Sequence, residues 1–396
     1  MEFKRPLVAT LTAALKKRLP LFQALIGPRQ VGKTTIAHQV LKNLPYPSVY
    51  STADGPLPPG PEWIESQWRI AELELQKTGR PVVLALDEVQ KARGWSETLK
   101  LLWDRAQYEG KDIRVLVLGS SALLMQEGLT ESLAGRFFLN RCPHWSYSES
   151  ARAFGWDLNT WLYFGGYPGA AVFADDEQHW KRYVTDSLIE TVLARDVLQM
   201  QKIAKPTLLR HLFALSAIFP AQILSYNKML GQLQDAGNTT TLASYLRLLE
   251  SAFLVSGLEL FSKGQVRKRG SSPKLILWNN ALINAVSPKS FQKTLHTQSL
   301  WGRLTENAVG AHFCNGLSGT SSVPAYWREG DNEVDFVVTT GTDIWAVEVK
   351  SGRSGKIPGM ERFRARYPQS KALVIGGNGI PLEKFFSEPA EAWLRG

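Results

Sequence analysis

Gly27-Pro28-Arg29-Gln30-Val31-Gly32-Lys33-Thr34-Thr35 decides how the rest of the chain is read. It fits G-x-x-x-x-G-K-[ST], and its flanks are those the pattern needs. Upstream, Leu21-Phe22-Gln23-Ala24-Leu25-Ile26 is an apolar run with the character of a buried strand. Downstream, Thr35-Ile36-Ala37-His38-Gln39-Val40-Leu41 has helical spacing. Strand, glycine loop and helix together predict a phosphate-binding loop over Gly27 to Thr35. The glycines let the backbone close around phosphate oxygens, and the helix N-terminus adds donors and a favourable dipole. Lys33 is expected to reach the β- and γ-phosphates and the Thr34 hydroxyl to ligate Mg²⁺.

A second stretch, Pro81-Val82-Val83-Leu84-Ala85-Leu86-Asp87-Glu88, is an unbroken apolar run that ends in two acids. It suits a strand buried on both faces with carboxylates at its C-terminal edge, where open α/β sheets bind ligands. Beside a phosphate loop, Asp87 is expected to hold Mg²⁺ and Glu88 to polarise the attacking water. Ile113 to Ser121 is another buried strand, ending in two hydroxyls. Ser120 or Ser121 could sense a γ-phosphate, and a helix cap at Ser121 is the plainer alternative. Arg136, in Leu133-Ala134-Gly135-Arg136-Phe137, is a candidate to neutralise transition-state charge in its own or a neighbouring subunit, or a plain surface arginine.

Taken with Gly165-Gly166-Tyr167-Pro168, and with Gln30 and Gln90 inside the loop and acidic stretches, this order of motifs resembles the prokaryotic AAA-type ATPases that carry a C-terminal domain of unknown function. The resemblance runs from about residue 5 to the C-terminus. It implies an α/β chain with an AAA+ core and parallel sheet over 1–150, a helical lid over 151–205, a winged helix over 206–278 and a restriction-endonuclease-like domain over 279–396. ATP and Mg²⁺ are the implied cofactors. A homo-oligomeric ring, a hexamer by family habit, is the implied assembly. No guanine-reading N-K-x-D appears, which favours ATP over GTP.

Composition sets wider bounds. The 396 residues allow two or three domains, and 44% apolar content is ordinary for a globular chain. The longest apolar stretch, Leu212 to Leu224, is broken by Ser216 and Pro220, so no membrane span is expected. The start has no secretion-signal pattern, and Cys142 and Cys314 are expected as buried or free thiols in a reducing cytoplasm. A formal charge of +10 favours an anionic partner, nucleic acid first.

The middle of the chain refines that expectation. Trp180 to Met200 reads as a long amphipathic helix; its Arg195 could contact a γ-phosphate or pair with Asp196 or Glu190. Ser225 to Leu233 and Thr240 to Ser251, the latter capped by Thr239, read as two helices about a glycine turn at Gln234 to Asn238. Phe253 to Phe261 and Lys274 to Trp278 would be wing strands, with Lys263, Arg267, Lys268 and Arg269 between them. Such a wing suits a phosphate backbone. The second helix offers only Ser244 and Arg247 as base readers, so sequence-independent DNA contact is expected, with a packing module as the alternative.

The last third carries a D-x12-E-x-K pattern, Asp335, Glu348 and Lys350, on strands 333–338 and 344–350. It resembles the active-site pattern of the PD-(D/E)xK nucleases. Alternation puts Glu348 and Lys350 on one strand face. Asp335 and Glu348 would then hold Mg²⁺, Glu306 would match the helix acid of that fold, and Lys350 would orient the water. Glu333-Val334 replaces the usual Pro before the Asp, and a fold that has lost cleavage is the competing reading. Arg362, Arg364 and Arg366 could meet phosphates or form a solvated face. Three function classes follow: a DNA-directed ATPase motor, a slow nucleotide-gated assembly switch whose nuclease-like fold is silent and binds protein, and a nuclease with a regulatory ATP domain.

Overall fold

The computed structural model describes residues 3–120, 125, 133–197, 203, 205–233, 238–262, 272–352 and 358–395, without the side chains of 195 and 196. The wing residues Lys263, Arg267, Lys268 and Arg269, the turn 234–237, Ser121 and the Arg195 and Asp196 side chains lie outside that description. The chain divides into two units, Met1–Cys142 and Pro143–Gly396.

In the first unit the apolar runs become the inner strands of a sheet. β1 (Phe22–Ile26) and β3 (Val82–Asp87) are buried at every residue, and β4 (Ile113–Gly119) at all but Arg114. With β2 (Ser48–Thr52) and β5 (Phe137–Arg141) they form a five-stranded sheet of order β2-β3-β4-β1-β5, parallel at every pairing. Each crossover needs a helix to cover a face. α2 (Lys33–Asn43), α3 (Pro61–Thr78) and α4 (Trp95–Tyr108) cover the crossovers from β1 to β4, and α1 (Pro6–Lys16) precedes β1. α3 shows the logic: Pro61 opens it, Ile64, Trp68 and Ala71 face the core, and Gly79 ends it in a left-handed turn. Because all five strands run the same way, the loops after β1, β3 and β4 gather at one edge of the sheet.

The second unit begins with helices Tyr147–Phe154, Leu158–Phe164 and Glu177–Tyr183. The expected long helix after Trp180 instead passes into two π-helical turns, Val184–Ile189 and Val192–Val197. Glu190 pairs with Arg210, Nε to Oε2 3.3 Å. Helices Pro206–Ile218, Tyr226–Gln232 and Thr239–Ser251 precede an antiparallel ribbon of β6 (Val255–Leu258) and β7 (Lys274–Leu277). Asn238 rather than Thr239 caps the third helix, because the Asn238 side chain accepts from the Thr241 N–H.

The long helix Gln298–Leu317 then leads to a four-stranded sheet of order β11-β10-β9-β8. Its strands are β8 (Val323–Glu329), β9 (Asn332–Thr340), β10 (Asp343–Lys350) and β11 (Lys371–Gly376). β8, β9 and β10 pair antiparallel, and β11 joins β10 in parallel. Trp327, Val334, Ile344, Ala346, Met360 and Phe363 make a core between this sheet and helix Pro358–Arg366. Cys142 and Cys314 are both buried thiols, and no disulfide joins them among the described residues. No helix among the described residues is long and apolar enough to cross a membrane.

Candidate nucleotide site and acidic cluster

The loop after β1 is closed by its own lysine. Gly32 caps α2 in a left-handed conformation (φ 92°), a geometry glycine adopts without strain. A Cβ at Gly27 would run into the Cys142 carbonyl, so the backbone there must be bare. Lys33 Nζ donates to the carbonyls of Gly27 (3.0 Å) and Pro28 (2.7 Å), inside the turn the loop makes. Burial pulls the Lys33 pKa down, while the carboxylates of Glu88 and Asp87 oppose that pull. Arg5, buried beneath the loop, donates to the Val31 carbonyl at 3.3 Å and lies 3.0 Å from the Cys142 sulfur.

The ends of β3 and β4 face that loop. The Thr34 hydroxyl donates to Asp87 Oδ2 at 2.6 Å, and the Tyr50 hydroxyl reaches the same oxygen at 2.9 Å. The other Asp87 oxygen accepts the Glu88 N–H at 2.8 Å. Glu88 is left-handed (φ 51°), an uncommon state for a residue with a side chain, as is Gln30 (φ 57°). Glu88 Oε2 accepts from Gln90 Nε2 (2.8 Å) and Ser120 Oγ (3.0 Å), and Lys91 Nζ lies 3.7 Å away. Thus Lys33, Thr34, Asp87, Glu88 and Ser120, drawn from three separate stretches, stand at one sheet edge. A hydroxyl beside a carboxylate, with a lysine and a bare loop, is a donor set that fits a Mg²⁺–nucleoside triphosphate.

Arg136 is not brought there. Its carbonyl accepts the Phe22 N–H at the opening of β1, the sheet edge opposite the loop. Its guanidinium grips Asp104 in a two-pronged pair, Nε–Oδ1 2.8 Å and Nη2–Oδ2 3.0 Å. Tyr50 and Arg5 were not singled out from the sequence; a tyrosine in a short edge strand and an arginine before a helix carry no pattern.

In the second unit the acids converge around a lysine. Lys274 opens β7 and is wholly buried; its Nζ lies 2.7 Å from Glu306 Oε1, 3.1 Å from Glu333 Oε1 and 3.7 Å from Asp335 Oδ1. It also donates to the Asp335 carbonyl at 3.1 Å. Burial alone would lower its pKa, but the three carboxylates reverse the sign and hold it above the ordinary value. Glu306, Glu333 and Asp335 carry oxygens within 4.8 Å of one another; Glu348 is not of that group.

On β10, Lys350 Nζ pairs with Glu348 Oε1 at 2.6 Å, so these two share a face. Phe336 pairs with Val347, and one more step of that register sets Asp335 opposite Glu348. Asp335 Oδ2 is held by the Val349 N–H at 2.8 Å. Burial pushes Glu348 up to about 6, with Asp335 adding to the shift, and its Oε2 has no hydrogen-bond partner among the described residues. Of the set Glu306, Asp335 and Glu348, the first two face the Lys274 ammonium and Glu348 faces Lys350. Arg362 and Arg366 both pair with Glu329 on β8.

Comparison with known proteins bears on each part. A family model described as an AAA domain matches residues 21–151. Two models described as domains of unknown function, DUF8612 and DUF4143, match residues 155–293 and 301–384. Uncharacterized proteins Rv2008c of Mycobacterium tuberculosis and Mb2031c of Mycobacterium bovis are each 26% identical over 345 residues, 85% of this chain and 73% of theirs. Among solved structures, a Walker-type ATPase of Pyrococcus abyssi aligns with TM-score 0.46 and 15% identity, over 72% of this chain and 95% of that one. The RuvB Holliday junction branch migration motor of Thermotoga maritima aligns with TM-score 0.33 and 14% identity, over 67% and 92%. Both scores are low, so the assignment rests on the family match together with the loop and its parallel sheet. Residues 21–151 thus match an AAA domain, and they carry the phosphate-binding loop pattern at the edge of a parallel sheet.

Proposed function

We propose that the chain binds and hydrolyses ATP with Mg²⁺ and couples that cycle to DNA held by its second unit. The observation that carries the reading is the meeting of Lys33, Thr34, Asp87, Glu88 and Ser120 at one sheet edge. Loop N–H groups from Gly27 to Thr35 would bind phosphate oxygens, and Lys33 would exchange its two loop carbonyls for them. Thr34 and Asp87 would hold the magnesium, which when bound neutralises phosphate charge. Glu88 would take the proton of the attacking water, with Ser120 fixing the carboxylate. For DNA, the support is the charge of +10 and the basic run Lys263, Arg267, Lys268 and Arg269 between two strands, which favours backbone contact over base reading. A homo-oligomeric ring, hexameric by family habit, would let Arg136 serve a neighbour's nucleotide.

A second reading is favoured by the Glu88 carboxylate, which Gln90, Ser120 and Lys91 hold together. Such a latch suits slow turnover and a nucleotide-gated assembly switch. ATP turnover with Mg²⁺, with and without single- and double-stranded DNA, on wild type and Glu88→Gln, separates the two. Stimulation by DNA that is lost in Glu88→Gln supports the motor. Slow turnover indifferent to DNA, with assembly size following the nucleotide, supports the switch and overturns the motor.

A further inference from the structure

We propose that Lys274 is the built-in cation of the Glu306–Glu333–Asp335 cluster, and that Glu306 is its counter-ion rather than a metal ligand. Four oxygens surround one nitrogen: three carboxylates at 2.7, 3.1 and 3.7 Å and the Asp335 carbonyl at 3.1 Å. An ammonium has three protons to donate and no accepting capacity, which is the complement of that oxygen cage. The Phe336 ring, 5.0 Å from Nζ to centroid, closes another side with its electron-rich face. A divalent ion in the same cage would need oxygens at 2.0–2.6 Å around the point the nitrogen already fills.

The position of Lys274 is fixed independently of the acids. β7 is pinned to helix Gln298–Leu317 by Asn307, which accepts the Leu277 N–H at 3.0 Å and donates to the Leu277 carbonyl at 2.9 Å. Asn307 is wholly buried and neighbours Glu306 on that helix. The lysine therefore arrives from the ribbon segment, while its acids belong to the helix and β9 that follow. The cluster clasps two stretches of the second unit together, and it spends on a lysine the acid that a nuclease of this pattern would give to metal. The sequence signal is a lysine opening an otherwise apolar strand, Lys274-Leu275-Ile276-Leu277.

Mn²⁺ binding to the full chain without nucleotide tests this and leaves the ATPase reading aside. In wild type and Glu306→Gln, Mn²⁺ affinity is expected to agree within twofold. Lys274→Met is expected to gain a Mn²⁺ site at least tenfold tighter than anything in wild type, lost again in Lys274→Met/Glu306→Gln. A tenfold or greater fall in wild-type Mn²⁺ affinity on Glu306→Gln overturns the proposal, as does a folded Lys274→Met that gains no site. Should Lys274→Met fail to fold, the wild-type against Glu306→Gln comparison decides alone.

Discussion

Gln90 Nε2 stands 2.8 Å from Glu88 Oε2, the same oxygen that Ser120 Oγ reaches at 3.0 Å. Two donors on one carboxylate oxygen hold it in place, so the contact restrains the movement of the carboxylate proposed as general base. Removing one such hydrogen bond shifts the balance by about 1 kcal/mol, roughly a fivefold change in rate. Gln90→Ala is therefore expected to raise basal ATP turnover several-fold, while Glu88→Gln lowers it by about a hundredfold or more. A fall in turnover for Gln90→Ala would mean that the amide aligns the glutamate rather than holding it back.

Tyr50 bears on the side of the same site proposed for magnesium. Its hydroxyl shares Asp87 Oδ2 with Thr34 and stays a donor because burial and the Asp87 contact raise its pKa. Tyr50→Phe keeps the ring against His38, 4.4 Å between centroids, and removes only the hydrogen bond. The apparent Mg²⁺ requirement of turnover is expected to shift by about fivefold, corresponding to about 1 kcal/mol. Titrating Mg²⁺ at saturating ATP reads this directly.

How much of this was legible in the sequence follows from how local each cause is. Gly27 to Thr34 is contiguous, and the buried runs ending in Asp87 and Ser120 announce their own strands, so the loop and the core sheet could be read from the chain itself. Lys274 could not be matched to Glu306, Glu333 and Asp335, because 32 to 61 residues of sequence separate them and only the docking of β7 brings them together. Reading Asp335, Glu348 and Lys350 as neighbours needed only strand alternation; knowing that Glu306 already had a partner needed the tertiary fold. The π-helical turns after Trp180 were equally hidden, since their apolar spacing is that of an ordinary helix.

Arg136 separates a structural role from one between subunits. Its pair with Asp104 is partly exposed, and pairs of that kind contribute little to stability. Arg136→Ala is expected to leave thermal stability almost unchanged. If a neighbouring subunit's nucleotide recruits this arginine, wild-type turnover per subunit rises with protein concentration and that of Arg136→Ala stays flat and low. Equal concentration dependence in the two proteins removes Arg136 from the catalytic set.

His312 gives the second unit an acid limit. It lies on helix Gln298–Leu317, packed against Phe385 and Phe386 at 5.0 and 5.6 Å between ring centroids, and its Nε2 has no hydrogen-bond partner among the described residues. Burial pushes its pKa down to about 4 from an ordinary value near 6.5. The unfolded chain therefore takes up a proton at higher pH than the folded one does. Stability is lost as pH falls from about 6.5 towards 4 and levels off below, by a total on the order of 3 kcal/mol. Replacing His312 by Leu removes the titrating group while keeping an apolar side chain among the two phenylalanines. Its unfolding free energy from denaturant titration is expected to match wild type near pH 7.5 to within about 1 kcal/mol and to exceed it clearly at pH 5. Parallel loss of stability in both proteins between pH 7.5 and 5 would assign the acid limit to other groups.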